Sequence, residues 1–286
     1  MSTKQTSPAS RTLRPDALAG QVALVTGAGT GIGRAIALDL AKCGADLVLA
    51  GRRAEPLEAT AQAARQAGRD AQVVPCDIRH DRAPESLVSQ AMERFGRIDA
   101  LVNNAGGQFM APAEEITPKG WRAVNRLAVD AAWALTRQVA LDAMIPARQG
   151  LIVFIGFSPR RGIPGMVHAT AARAAVGNLA QGLALEWSRY GIRSVCVNAG
   201  TIDTDGLSEA YSPEDRARWA SGVPLGRLGR PEDVSGLVAF LASPAAAYIT
   251  GTQLLVDGGA DAWGAAVAAP SAVPVPSVSS DIEVLT

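Results

Sequence analysis

The residues best suited to chemistry fall in two groups, one that could hold phosphates and one that could move a proton. The first is Thr26-Gly27-Ala28-Gly29-Thr30-Gly31-Ile32-Gly33. Val22, Leu24 and Val25 precede it as a short apolar run suited to a strand covered on both faces. Ile32, Ala35, Ile36 and Leu40 follow at helical spacing. A strand, a glycine turn and a helix start read as a phosphate cradle, because a helix N-terminus presents unpaired N–H groups. Glycine lets the backbone approach a pyrophosphate closely. A tight turn that binds nothing would share this pattern.

The remaining elements must position that loop. Strand candidates are Val22–Thr26, Asp46–Ala50, Ala71–Cys76, Ala100–Asn103, Leu151–Ile155, Ser194–Asn198 and Gln253–Val256. Helix candidates lie between them, the longest near Lys119–Met144 and Val167–Arg189. Such alternation predicts an α/β fold: a doubly wound parallel sheet with helices on both faces. No internal linker interrupts residues 18–263, so they are read as one domain. Residues 1–17 read as a disordered leader, and 264–286, rich in Ala, Pro and Ser, as an extended tail.

Ligands of such sheets bind at the carboxyl ends of the strands. After the second strand come Gly51-Arg52-Arg53. The position for a ribose-binding acid is not acidic, and two arginines suit a 2′-phosphate, which favours NADP(H) over NAD(H). A solvated helix-start pair is the competing reading of Arg52 and Arg53. Asp77, followed by Ile78, could accept from an adenine amino group or simply cap a turn. Asn103-Asn104-Ala105-Gly106 ends the fourth strand, with Gly106 permitting close backbone approach.

Composition narrows the function. The chain has 286 residues, 48% hydrophobic and 19% charged, with 27 basic and 27 acidic residues. That is globular composition with no charge excess pointing to nucleic acid or a membrane surface. No apolar run spans a bilayer, and the N-terminus lacks a signal-peptide core. Cys43, Cys76 and Cys196 are far apart without metal-ligand spacing, as expected of buried thiols in a cytoplasmic protein.

Taken in order, the glycine loop, Asp77, Asn103-Asn-Ala-Gly106, Gly200-Thr201-Ile202-Asp203-Thr204 and Val256-Asp257-Gly258-Gly259 resemble the short-chain dehydrogenase/reductase family. The likeness covers about residues 18–261. It implies a Rossmann-type sheet of seven parallel strands, a nicotinamide cofactor and a homotetramer or homodimer. Cofactor contacts carry over to Gly27, Thr30, Gly31, Ile32, Gly33, Asp77, Ile78, Asn104, Ala105, Gly106, Arg173, Gly200 and Ile202. The helix from Val167 through Arg173 to Trp187 is similar to the peroxisomal trans-2-enoyl-CoA reductase branch, and less closely to the 2,4-dienoyl-CoA reductases. That likeness points to an acyl-CoA or another α,β-unsaturated carbonyl substrate.

The same resemblance exposes what is missing. The family's usual Asn, Ser, Tyr and Lys fall at Ala128, Phe157 (or Gly156), Ala169 and Arg173. Its usual proline falls at Ala199. Arg173 can supply a fixed charge and ribose contacts but no proton relay. Reduction of a carbon–carbon double bond tolerates such losses, because charge on the carbonyl oxygen needs hydrogen-bond donors rather than a full proton. Candidate donors are Ser158, His168, Thr170 and Arg173. Asn125, one helical turn before Ala128, is a further polar residue on that face. Arg160 and Arg161 could bind coenzyme A phosphates or be surface charges. The excursion Leu207–Gly222 corresponds to the family's substrate lid. Three functions compete: an NADP(H)-dependent reductase, a cofactor-binding scaffold for a non-redox reaction such as a cyclisation, and a non-catalytic subunit.

Overall fold

The computed structural model describes residues 13–158 and 162–263, apart from the side chain of Ala210. Seven parallel strands form one sheet in the order β3-β2-β1-β4-β5-β6-β7. They are β1 (Val22–Thr26), β2 (Asp46–Gly51), β3 (Ala71–Pro75), β4 (Ala100–Asn103), β5 (Gly150–Phe157), β6 (Ile192–Ala199) and β7 (Gln253–Val256). Every strand expected from the sequence is present, and β5 and β6 run longer than expected at both ends.

The apolar strands reflect burial on both faces. Val22 and Leu24 of β1 pack into one cluster, whereas Ala23 and Val25 pack into the other. The side-chain period of two thus divides one strand between two cores. On one face lie α1 (Gly31–Lys42), α2 (Ala54–Gln66) and α10 (Pro231–Ala242), contributing Ile36, Leu57 and Val238. On the other lie α3 (Ala83–Phe95), α5 (Ala131–Val139) and α7 (Val167–Trp187), contributing Leu87, Leu135 and Leu183.

The expected long helix before β5 is broken. It opens with α4 (Pro118–Asn125), capped by the Thr117 hydroxyl, which accepts from the Gly120 N–H. Pro118 suits the first turn because that position needs no N–H donor. A π-turn over Arg126–Asp130 leads into α5, and a second over Ala140–Met144 leads into α6 (Ile145–Ala147). Beyond β6 come α8 (Asp205–Ala210) and α9 (Pro213–Ser221), and α11 (Ala260–Trp263) follows β7.

The leader does not extend to residue 17 as a loose segment. Arg14–Gly20 form turns that place Leu18, fully buried, against the core, where its N–H donates to the Cys43 carbonyl at 2.7 Å. The first twelve residues and the expected tail at 264–286 lie outside the described residues.

The strand order reverses between β1 and β4, and their loops part there to leave a crevice. At its base a Cβ on Gly33 would lie 2.2 Å from the Gly27 carbonyl oxygen and 2.4 Å from Asn104 Nδ2. Gly27 and Gly31 hold left-handed backbone at φ 65° and 52°. Gly33→Ala should therefore displace the turn. We expect a stability loss of about 1–3 kcal/mol, typical of overpacking, and loss of cofactor binding, read by chemical denaturation and by quenching of NADPH fluorescence. An unchanged variant would show that the turn has slack.

Candidate active site

The crevice holds a cleft of ≈ 630 Å³. Its floor is the expected loop: Thr26, Gly27, Gly29, Thr30, Gly31, Ile32 and Gly33 all line it. Thr30 precedes α1 without a side-chain cap, and the first turn of α1 carries no acidic residue. Its N–H groups and partial positive charge are thus available to an anion. Thr26 Oγ1 anchors the wall opposite, accepting from the N–H groups of Asn104 and Ala105 at 3.0 and 2.9 Å. Asn104 Nδ2 donates back to the Thr26 carbonyl at 2.9 Å.

Arg52 and Arg53, both exposed, line the cleft where β2 ends. Asp77 and Ile78 line it beside them. The Asp77 carboxylate is clamped by Arg79, whose Nε donates to both oxygens at 2.9 and 3.1 Å. The hydrogen bonds of Arg79 hold its carboxyl at about 2, so Asp77 remains an anion at neutral pH. It reaches a ligand only by sharing its oxygens with that clamp. Asn104, Ala105 and Gly106 complete the expected wall.

Gly200 and Ile202 stand elsewhere. A Cβ on Gly200 would lie 2.8 Å from the Asp257 Cα, and Ile202 is buried where it bridges to Gly229. Their loop reaches the cleft instead through Thr204 and Gly206. Thr204 closes the motif that begins at Gly200, so its presence is readable in the sequence. Gln108, Phe109 and Leu127 also line the cleft and carry no sequence signal. Over its edge, α8 and α9 form the expected excursion, braced by a Tyr211–Trp219 edge contact at 4.7 Å and an Arg216–Asp203 ion pair at 3.3 Å.

The proton-moving positions converge, but on an apolar cluster. Ala128 and Ala169 pack with Val124 and Ala172, and Phe157 and Met166 close over them. Three altered family positions are therefore brought together, and none of the three carries a proton to give. Gly156 is excluded as the serine position, because a Cβ there would lie 1.9 Å from Asn198 Oδ1.

Ser158 is not brought to this place. One residue beyond Phe157, it faces the other way, buried, and its hydroxyl donates to Asp257 Oδ2. Asp257 also accepts from the Gly259 and Asp261 N–H groups, so Ser158 braces the turn after β7. His168 is fully buried under Phe109, outside the cleft wall. Thr170 bonds back to the carbonyls of Met166 and Val167 at 3.2 and 3.1 Å, a helix-start hydroxyl. Asn125 donates to the Trp121 carbonyl at 3.0 Å. The first π-turn follows it directly, so spacing by a regular turn does not carry it to the place of Ala128. Arg160 and Arg161 lie outside the described residues.

Arg173 alone meets its expectation in part. Its Nη1 donates to the Ile155 carbonyl at 2.8 Å, and the guanidinium stacks over Phe157 at 5.1 Å. Nη2 lies directly behind Gly106, where a Cβ would be only 2.0 Å away. The group thus sits behind the cleft wall. Burial pushes its pKa down from the usual value. Nearby, burial pushes the Cys196 thiol up to about 12, so it stays protonated.

A dinucleotide fits this cleft on its own geometry: a turn with no room for a Cβ, an uncapped helix start, and arginines at the β2 end. Comparisons with known proteins agree. The family model described as "Enoyl-(Acyl carrier protein) reductase" matches residues 27–261. A probable 2,4-dienoyl-CoA reductase of Bacillus subtilis is 37% identical over 82% of this chain and 94% of its own. The structure of a citronellol catabolism dehydrogenase from Pseudomonas aeruginosa superposes with a TM-score of 0.78 at 36% identity, covering 87% of this chain and 98% of that one. A protein assigned as an NAD(P)-dependent gluconate 5-dehydrogenase from Beutenbergia cavernae, solved with NADP at low occupancy, gives 0.81 at 35% identity, covering 87% and 100%. The match to the family model, the sheet order and these relatives together make the chain a member of the short-chain dehydrogenase/reductase family of oxidoreductases.

Proposed function

We propose that this protein is an NADP(H)-dependent reductase of activated double bonds or carbonyls, with an enoyl-CoA-like thioester as the preferred substrate class. The observation that carries this reading is Arg173: a guanidinium held behind Gly106, next to an apolar cluster where a tyrosine would otherwise stand. A bound nicotinamide supplies the hydride. The chain's own part is to bind, orient and exclude water.

Without a phenol, the site is poorly equipped to protonate an alkoxide. Reduction of a conjugated double bond makes a lesser demand, since negative charge gathers on a carbonyl oxygen that fixed donors and a fixed positive charge can hold. Arg173 remains a cation at any working pH. It fits either the ribose of the cofactor or that developing charge. The apolar surroundings of Ala128, Phe157 and Ala169 strengthen each such interaction by excluding water. The likeness to a 2,4-dienoyl-CoA reductase supports the same substrate class.

The apolar cluster also favours a second reading, in which the cleft binds NADP(H) but steers a non-redox reaction or serves a non-catalytic subunit. Either reading fits a homotetramer or homodimer working in the cytoplasm. Trp133, Leu141 and Leu185 are exposed apolar side chains on α5, the second π-turn and α7, and Trp133 stacks on Trp187 at 6.3 Å. Among the described residues no helix is long and apolar enough to cross a membrane.

Incubation with NADPH and crotonyl-CoA should give thioester-dependent loss of NADPH absorbance. Cofactor binding without turnover across enoyl thioesters, ketones and alcohols would favour the second reading. Arg173→Met should weaken NADPH binding about tenfold, the scale of one charge-assisted hydrogen bond; unchanged affinity would remove the ribose role. Replacing both Arg52 and Arg53 with Ala should cost NADPH roughly a hundredfold in affinity, two such contacts, and leave NADH nearly untouched. Equal losses for the two cofactors would overturn the assignment to a 2′-phosphate.

A further inference from the structure

The ring nitrogens of His168 have no partner. The residue is 0% exposed, and neither Nδ1 nor Nε2 finds a hydrogen bond among the described residues. A neutral imidazole offers one N–H donor and one acceptor nitrogen. Leaving both dry is costly, and an apolar side chain of similar size would sit there better if packing were its whole purpose. Burial lowers its pKa, so the ring is held neutral.

Phe109 is what covers it. The two rings lie 4.2 Å apart, tilted by 35°. Phe109 is also 40% exposed and lines the cofactor cleft beside Gln108. It belongs to residues 107–112, which adopt neither helix nor strand. That stretch is tied across to the start of α7 where the Ala111 N–H donates to the Gly165 carbonyl at 3.0 Å. One aromatic side chain on an irregular segment thus separates the cleft from an unsatisfied imidazole. His168 precedes Ala169 by one residue and therefore points about 100° away from it on the helix. It is approached from the side of Phe109 and not through the apolar cluster.

We propose that Phe109 is a movable cover, and that His168 beneath it is a substrate-binding residue that donates its ring N–H to a carbonyl or hydroxyl oxygen of the substrate once the cover swings aside. The proposal rests on reading the cleft as that of a reductase acting on an oxygen-bearing, activated substrate. It accounts for an otherwise wasteful buried polar group: the missing partner arrives with the substrate.

The chain contains two histidines, His80 and His168, and His80 is exposed. Carbethoxylation by diethylpyrocarbonate, followed by peptide mass spectrometry, therefore carries its own internal standard. In the full chain without ligand, His168 should react at least about tenfold more slowly than His80, as burial requires. Phe109→Ala should bring the two rates within about threefold. His168→Leu should raise the melting temperature by about 2–4 °C, the shift expected for roughly 1 kcal/mol in a chain of this size. The same variant should leave NADPH affinity unchanged and raise KM for crotonyl-CoA about tenfold, the loss of one hydrogen bond. His168→Gln should recover part of that KM. An unreactive His168 in Phe109→Ala, or a lower melting temperature in His168→Leu, overturns the covered and unpartnered group. An unchanged KM overturns the substrate role. Failure of the wild-type chain to turn over crotonyl-CoA is a separate result: it removes the proposed reaction and with it the substrate role, while the modification rates and melting temperatures still decide the cover.

Discussion

Everything at the site depends on a hydroxyl at the end of β1. Thr26 Oγ1 is buried, donates to the Val102 carbonyl at 3.2 Å and accepts from two N–H groups of the β4 loop. It thereby satisfies backbone groups that the parting of β1 and β4 leaves without ladder partners. Asn104 answers from the other side, and Asn103 Nδ2 reaches Thr136 Oγ1 at 2.8 Å in α5. Three elements from distant parts of the chain are locked around one crevice. A cleft between diverging strands would otherwise be the weakest line of the sheet; here it is among its most connected.

That rigidity is confined to the half that holds the cofactor. The other half has been rebuilt with small and aromatic side chains whose function is packing. Ala128, Ala169 and Ala172 present only methyl groups, and Phe157 fills the space left by smaller neighbours. Arg173 remains charged above an aromatic ring, an arrangement worth about 0.5–2 kcal/mol depending on exposure. Binding and chemistry are therefore separable properties in this fold. One scaffold can keep its grip on a dinucleotide while its reacting groups change.

The fold was almost wholly legible in the sequence, because buried parallel strands announce themselves as short apolar runs between helical periods. Val22–Thr26, Ala100–Asn103 and Gln253–Val256 match their observed limits. The cofactor wall was legible for the same reason: glycines and asparagines at strand ends have few other uses. The reacting side was less so. Ser158 and His168 carry the right atoms, but sequence does not state which way a side chain faces after a strand ends or a helix begins. The alternation of β5 turned Ser158 onto Asp257, and the entry to α7 put His168 under Phe109. Gly200 and Ile202 were placed by a motif whose loop reaches the cleft two residues later, at Thr204.

The two π-turns before β5 make this stretch unusually sensitive to length. Each spends a residue more than a regular turn, and removing one residue from either would rotate the downstream helix by about 100°. A deletion within Arg126–Asp130 would swing Thr136 away from Asn103 and carry Leu135 out of the core, although no functional side chain had been altered. Substitutions at Ala128 are, by comparison, local events. Descent with insertions and deletions is thus constrained here more tightly than descent with point changes: the helix keeps its residue count even where it has given up its chemistry.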